Sequence, residues 1–312
     1  MAGESKRAVF AAIAGNLAIA IVKFIAAALT GSSAMLSEGI HSLVDMGNGG
    51  LLYFGMRSSE RPADELHPFG HGKELYFWSL IVAISIFGIG GGMSVYEGIV
   101  HIGHPTKVED ATLAYVVLVL SALIEGWSFL VAFREFRRAK GPLSSLEAIR
   151  TGKDPSLFTV VFEDSAAIVG LAVAFVGVFA SHYFDLPWVD GAASVVIGLL
   201  LAGVALWLAY ESKGLLVGEG AEPETIEEIA RVVRADADVA GVGPILSMYN
   251  GPHDLLLNLE VEFREGTSAE EVHRSIHRIE DAVTARYPEI KHVYIEVSSF
   301  ETPGEDRTSE SG

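Results

Sequence analysis

Between Ala34 and Met56 the chain is long and apolar enough to cross a bilayer, yet four polar residues interrupt it at helical spacing. Glu38, His41, Asp45 and Asn48 step by three, four and three. On an α-helix those steps bring side chains onto one face. An ionisable group at mid-membrane depth costs about 2.5–3.5 kcal/mol on insertion scales. The stripe must therefore face a protein interior, a water-filled cavity or a bound cation. A hydrogen-bonded network between two helices would satisfy it without an ion. His41 and Asp45, four residues apart, offer a nitrogen and an oxygen, which suits a transition metal such as zinc.

Half of the 312 residues are apolar and the mean hydropathy is +0.37, so the chain reads as a membrane protein with a soluble part. It has no cysteine. Disulfides and thiolate sites are excluded, and any metal must be held by His, Asp and Glu. The net charge of −18 is concentrated from Glu219 onward, where 21 acidic residues face 8 basic ones. That excess argues against nucleic acid as a partner. No nucleophile–base pair or phosphate loop points to an enzyme.

Six apolar stretches predict six spans: 8–30, 34–56, 75–99, 111–133, 157–180 and 189–210. Met1–Arg7 reads as an uncleaved polar start. Gly88, Gly90, Gly91 and Gly92 soften the third span toward bending or close helix contact. Lys and Arg set the orientation: eleven lie in the N-terminal segment and the loops after spans two and four, and only Lys107 in the other connections. Both termini are then cytoplasmic. Beyond Gly218 the period changes to helix 224–235, strand 241–249, strand 255–263, helix 268–287 with a Ser268–Glu271 capping box, and strand 292–298. The expected fold is an all-α six-helix transmembrane domain (1–217) followed by a cytosolic α+β ferredoxin-like domain (218–300) and a disordered tail (301–312).

Span five supplies partners for the stripe. It runs opposite to span two, and by length Asp164 lies within roughly 7 Å of the Asp45 layer at 1.5 Å per residue. His41, Asp45 and Asp164 make three ligands of a site that needs four. Glu163 points about 100° away on an ideal helix. Either its side chain bends in or water fills the fourth place.

Ser37-Glu38-Gly39-Ile40-His41-Ser42-Leu43-Val44-Asp45, His67-Pro68-Phe69-Gly70-His71-Gly72-Lys73 and the C-terminal α+β pattern together resemble the cation diffusion facilitator family, from about Ala8 to Phe300. The resemblance implies a homodimeric exporter in a lipid bilayer, expected in a bacterial inner membrane, that exchanges a divalent metal, usually Zn2+, for protons. It maps a transport site onto His41, Asp45 and Asp164, with Glu163 beside them. It also maps a loop site onto Asp64, His67 and His71; the same residues would alternatively shape a turn around Pro68 and Gly70. Many zinc members place His where this chain has Val160, so a harder site open to Mn2+ or Fe2+ is the competing expectation. The C-terminal positions that bind metal in some members are Gly243, Pro244 and Asn258 here, and no site is assigned to them. His273 and His277 read as solvated helix residues. A non-transporting dimeric membrane scaffold of the same family is the other functional alternative.

Overall fold

The computed structural model describes residues 2–106, 111–139 and 152–298. The tail expected at 301–312, Lys107 and the middle of the basic loop after span four lie outside them. The chain divides into two compact units between Leu216 and Val217.

Among the described residues the first unit holds the long helices α1 (Ala2–Thr30), α2 (Ser33–Ser59), α3 (Glu74–Gly103), α4 (Ala111–Ala139), α5 (Pro155–Tyr183) and α6 (Trp188–Val217). Four stretches within them, Glu74–Gly103, Ala111–Arg138, Phe158–Tyr183 and Trp188–Val217, are long and apolar enough to cross a membrane. In α1 the described apolar part is the shorter Asn16–Thr30. Helix α2 falls outside this group, as expected when a polar stripe dilutes an apolar run. Leu120, Leu123, Ile124 and Trp127 of α4 are exposed together, as lipid-facing side chains are.

The glycine-rich part of α3 does more than bend. Ile86–Gly92 is a π-helical insert between two α-helical pieces. Around it α3 and α6 approach backbone to backbone: a Cβ on Gly98 would stand 2.6 Å from the carbonyl oxygen of Gly191. Such small-residue contacts let membrane helices gain dispersion energy that lipid tails cannot supply. At the end of the bundle where α1 turns into α2, Asp190 of α6 is fully buried and accepts from Ser32 Oγ (2.7 Å) and the Ser33 N–H (2.6 Å). One carboxylate thus satisfies the free donors at the start of α2.

In the second unit the order is α7 (Pro223–Arg234), β1 (Val239–Gly251), β2 (Asp254–Phe263), α8 (Ala269–Arg286) and β3 (Ile290–Val297). The sheet order is β1-β2-β3, antiparallel between β1 and β2 and parallel between β2 and β3. Alternation along β2 buries Leu255, Leu257, Leu259 and Val261 with Ile229 and Val233 of α7 and Ile279 and Val283 of α8. The capping box forms as the sequence indicates, Ser268 and Glu271 bonding reciprocally. Arg278 clamps Asp236 (2.8 Å) and Asp238 (2.7 Å), and this guanidinium holds the Asp236 carboxyl down at about 2.

Candidate metal centre

Helix α2 starts at Ser32, whose hydroxyl accepts from the Met35 N–H at 3.2 Å, and then carries the stripe inward. Glu38, His41 and Asn48 are no more than 1% exposed, so their face is turned into the bundle. His41 Nδ1 and Asp45 Oδ1 lie 3.4 Å apart without forming a hydrogen bond. Both nitrogens of His41 and Oδ1 of Asp45 are buried with no protein partner. A dry polar atom left unpaired costs free energy, and three on adjacent turns of one helix make a lining that a cation would satisfy.

Helix α5 faces this lining. Asn48 Nδ2 donates to Glu163 Oε1 at 2.8 Å. Further along, a Cβ on Gly170 would meet Glu38 Oε1 at 2.6 Å. Asp45 falls between those two contacts, so the layer holding Asp45 also holds Glu163 and Asp164. Within that layer the two acidic residues point differently. Glu163 is buried against α2, and Asp164 accepts from Ser128 Oγ of α4 at 3.0 Å. On an ideal helix Glu163 points about 100° from Asp164, and of the two expected ways to fill the fourth place it is Glu163 that contacts the stripe, through Asn48. Thr159, one turn before Glu163, is buried, but Val160 is 37% exposed.

Among the described residues, only Asp64, His67 and His71 form a group of three or more metal-type side chains whose ligand atoms all lie within 4.8 Å of one another. His41, Asp45, Glu163 and Asp164 are not drawn that close. In the loop after α2, Asp64 Oδ1 accepts from the backbone N–H of Leu66 (2.9 Å) and His67 (2.7 Å), which shapes the turn. Gly70 follows at φ +82°, a left-handed conformation that glycine adopts without strain. Arg61 Nη2 lies 3.3 Å from His71 Nδ1, and arginine only donates. Nδ1 therefore accepts, and Nε2–H donates to Asp64 Oδ2 at 3.0 Å. That bond, followed by the His67 N–H, holds the Asp64 carboxyl well below the usual range. The trio thus shapes the turn and also presents a compact donor set. Replacing His71 by Ala should lower the thermal midpoint by about 2–4 °C and leave measurable metal flux. Complete loss of flux in a folded His71→Ala protein would make the loop, not α2, the principal site.

On α8, His277 Nε2 meets His273 Nε2 at 3.3 Å and His277 Nδ1 meets Glu280 at 3.2 Å, all on an exposed face. In the same unit, His292 Nε2 stands 3.9 Å from Asp254 Oδ1. Among the described residues neither cluster brings three ligand atoms within 4.8 Å of one another.

Two contacts escape a reading by helical spacing. Lys23 of α1 is fully buried and bonds Glu38 (3.1 Å), Glu125 of α4 (2.7 Å) and Ser42 (2.8 Å). Ser37 of α2 bonds Ser194 of α6, which in turn donates to the carbonyl of Ser94 on α3 at 2.9 Å. An unpaired Lys in an apolar span signals the first; isolated serines signal nothing until the helices are placed.

Apolar helices enclosing a stripe of His, Asp and Glu define a multi-pass membrane protein built to handle a cation. Residues 9–217 match the model of the cation efflux transmembrane domain, and residues 221–300 that of the cation efflux protein cytoplasmic domain. The chain belongs to the cation diffusion facilitator family, whose members are metal transporters. It is 33% identical to metal tolerance protein C4 of Arabidopsis thaliana over 83% of this chain and 57% of that one. Identity to the human mitochondrial proton-coupled zinc antiporter SLC30A9 is 33%, over 82% of this chain and 46% of that one. It is 25% identical to the cation-efflux pump FieF of Escherichia fergusonii over 90% and 89% of the two chains. The chain spans about half the length of the first two relatives.

Proposed function

We propose that this chain is a homodimeric antiporter that exports a divalent cation, Zn2+ first and Mn2+ or Fe2+ as alternatives, from the cytoplasm in exchange for protons. The observation that carries this reading is the set of buried, unpartnered atoms on α2, both ring nitrogens of His41 and Oδ1 of Asp45, opposite Glu163 and Asp164 of α5. Metal binding needs a neutral imidazole and ionised carboxylates, so protons and metal compete for the same atoms. Binding from the cytoplasm and displacement by protons on the other side follow from that competition. One nitrogen and three carboxylates form a harder set than two imidazoles, which supports some acceptance of Mn2+ and Fe2+ beside zinc.

The same reading takes all six helices as spans, with both termini cytoplasmic in a bacterial inner membrane; the Lys and Arg excess in the connections supports it. Residues 1–217 are the transport domain and 218–300 the dimerising domain. The latter has the ferredoxin-like order without its first strand. Names of relatives agree in part: SLC30A9 is called a proton-coupled zinc antiporter, and FieF a cation-efflux pump.

The test is purified protein in proteoliposomes, with Zn2+, Mn2+, Fe2+ and Co2+ supplied in turn and lumenal pH followed beside metal uptake. Expected are saturable uptake, greatest for Zn2+, and proton movement in the opposite direction. A folded dimer that moves none of the four metals would overturn the transport reading in favour of the scaffold.

A further inference from the structure

The ions around Lys23 do not balance. One ammonium on α1 serves two carboxylates, Glu38 on α2 and Glu125 on α4, at 3.1 and 2.7 Å. The side chains of Lys23 and Glu38 are fully buried and that of Glu125 is 13% exposed. Each carboxylate uses one oxygen on Lys23; Glu38 Oε1 and Glu125 Oε2 are buried and have no partner. With all three groups ionised the cluster would carry one uncompensated negative charge in a nearly dry interior. Such a charge is several kcal/mol out of balance unless neutralised.

Among the described residues, the neighbouring elements place no second cation within ion-pair distance of Glu38 or Glu125. Around the cluster α2 contributes Ser42, His41 and Asp45, and α5 contributes Glu163 and Asp164, all neutral or acidic when ready for metal. Opposite Glu38 Oε1, α5 presents the bare backbone of Gly170, where a Cβ would stand only 2.6 Å away. The free oxygen therefore sits in a slot between α2 and α5.

We infer that Lys23, Glu38 and Glu125 form a proton-binding site, separate from the metal ligands, that holds one exchangeable proton between its two carboxylates. Lys23 fixes both carboxylates by one oxygen each and leaves the other oxygen of each as the proton's seat. The cluster joins α1, α2 and α4, and Glu38 is three residues, less than one turn, from His41. Metal arriving at His41 and Asp45 adds positive charge beside the cluster and favours loss of its proton; metal departure favours the proton's return. The exchange is then carried by electrostatic coupling as well as by competition for the same ligand atoms. This inference rests on the antiport reading above and names a proton carrier for it.

The test uses the full-length protein in proteoliposomes, with Zn2+ uptake and lumenal pH read in parallel and Zn2+ affinity measured in detergent by equilibrium dialysis. Glu125→Gln removes one carboxylate, leaves the Lys23–Glu38 pair neutral and touches no metal ligand. Zn2+ should still bind and still be transported, with protons moved per metal ion reduced by about half. Glu38→Gln is the parallel variant should Glu125→Gln not fold, and the same loss is expected. An unchanged proton-to-metal ratio in a folded variant would overturn the proton site and leave the cluster as a structural ion pair. If the unaltered protein moves Zn2+ with no opposing proton movement, it is the antiport reading that fails.

Discussion

Asp45→Asn should bring metal flux in proteoliposomes to background while the purified protein keeps its elution volume and helical content. Size and shape are retained, so the packing of α2 on α5 has no reason to fail. What disappears is the charge on an oxygen that is buried and unpartnered beside His41. Loss of an outer partner of a metal ligand commonly costs 10–100-fold in affinity, and loss of a ligand's own charge costs at least as much. Asp45 Oδ1 makes no hydrogen bond within the protein, so the substitution removes no described structural contact of that atom. Stability should therefore stay level or rise, since an amide is cheaper to bury than a carboxylate. Wild-type flux from Asp45→Asn would remove α2 from the transport site altogether.

Much of this arrangement was legible because it rests on local rules. The steps from Glu38 to Asn48 fix one face of α2 whatever surrounds it, and that face is the buried one. Ser268 and Glu271 announce the start of α8 because the capping bonds close within four residues. The glycines of α3 signalled a soft place. They did not signal a π-helical insert, which depends on how closely the α6 backbone approaches at Gly191 and Gly198. Contacts between helices far apart in sequence were mostly hidden. Asp190 and Ser32 are 158 residues apart, and Lys23 and Glu125 are 102 apart. On α5 the ideal 100° step turns Glu163 away from the stripe only if Asp164 is the inward reference. With Asn48 holding Glu163 the inward reference moves to Glu163, and Thr159, one turn before it, is buried while Val160 is 37% exposed.

That shift of reference leads to the second large effect, a ranking on α5. Glu163→Gln should weaken Zn2+ binding and flux more than Asp164→Asn does. Glu163 meets the stripe directly through Asn48, and Gln keeps the oxygen that accepts this bond, so the helix pair holds while the charge is lost. Asp164 is tied to Ser128 on the α4 side and would need to turn from that partner to reach the ion. Its removal should still reduce affinity, because it adds negative charge to the same layer at short range. The measurements are Zn2+ affinity by equilibrium dialysis and initial uptake rates for both variants in the same vesicles. A drop of more than about tenfold beyond that of Asp164→Asn, equal to 1.4 kcal/mol, would make Glu163 the primary α5 ligand. The reverse order would mean that metal binding rotates α5 by roughly one residue step, about 100°, bringing Asp164 inward. In that event Val160, one turn before Asp164, is the position where an added imidazole (Val160→His) should favour zinc over manganese.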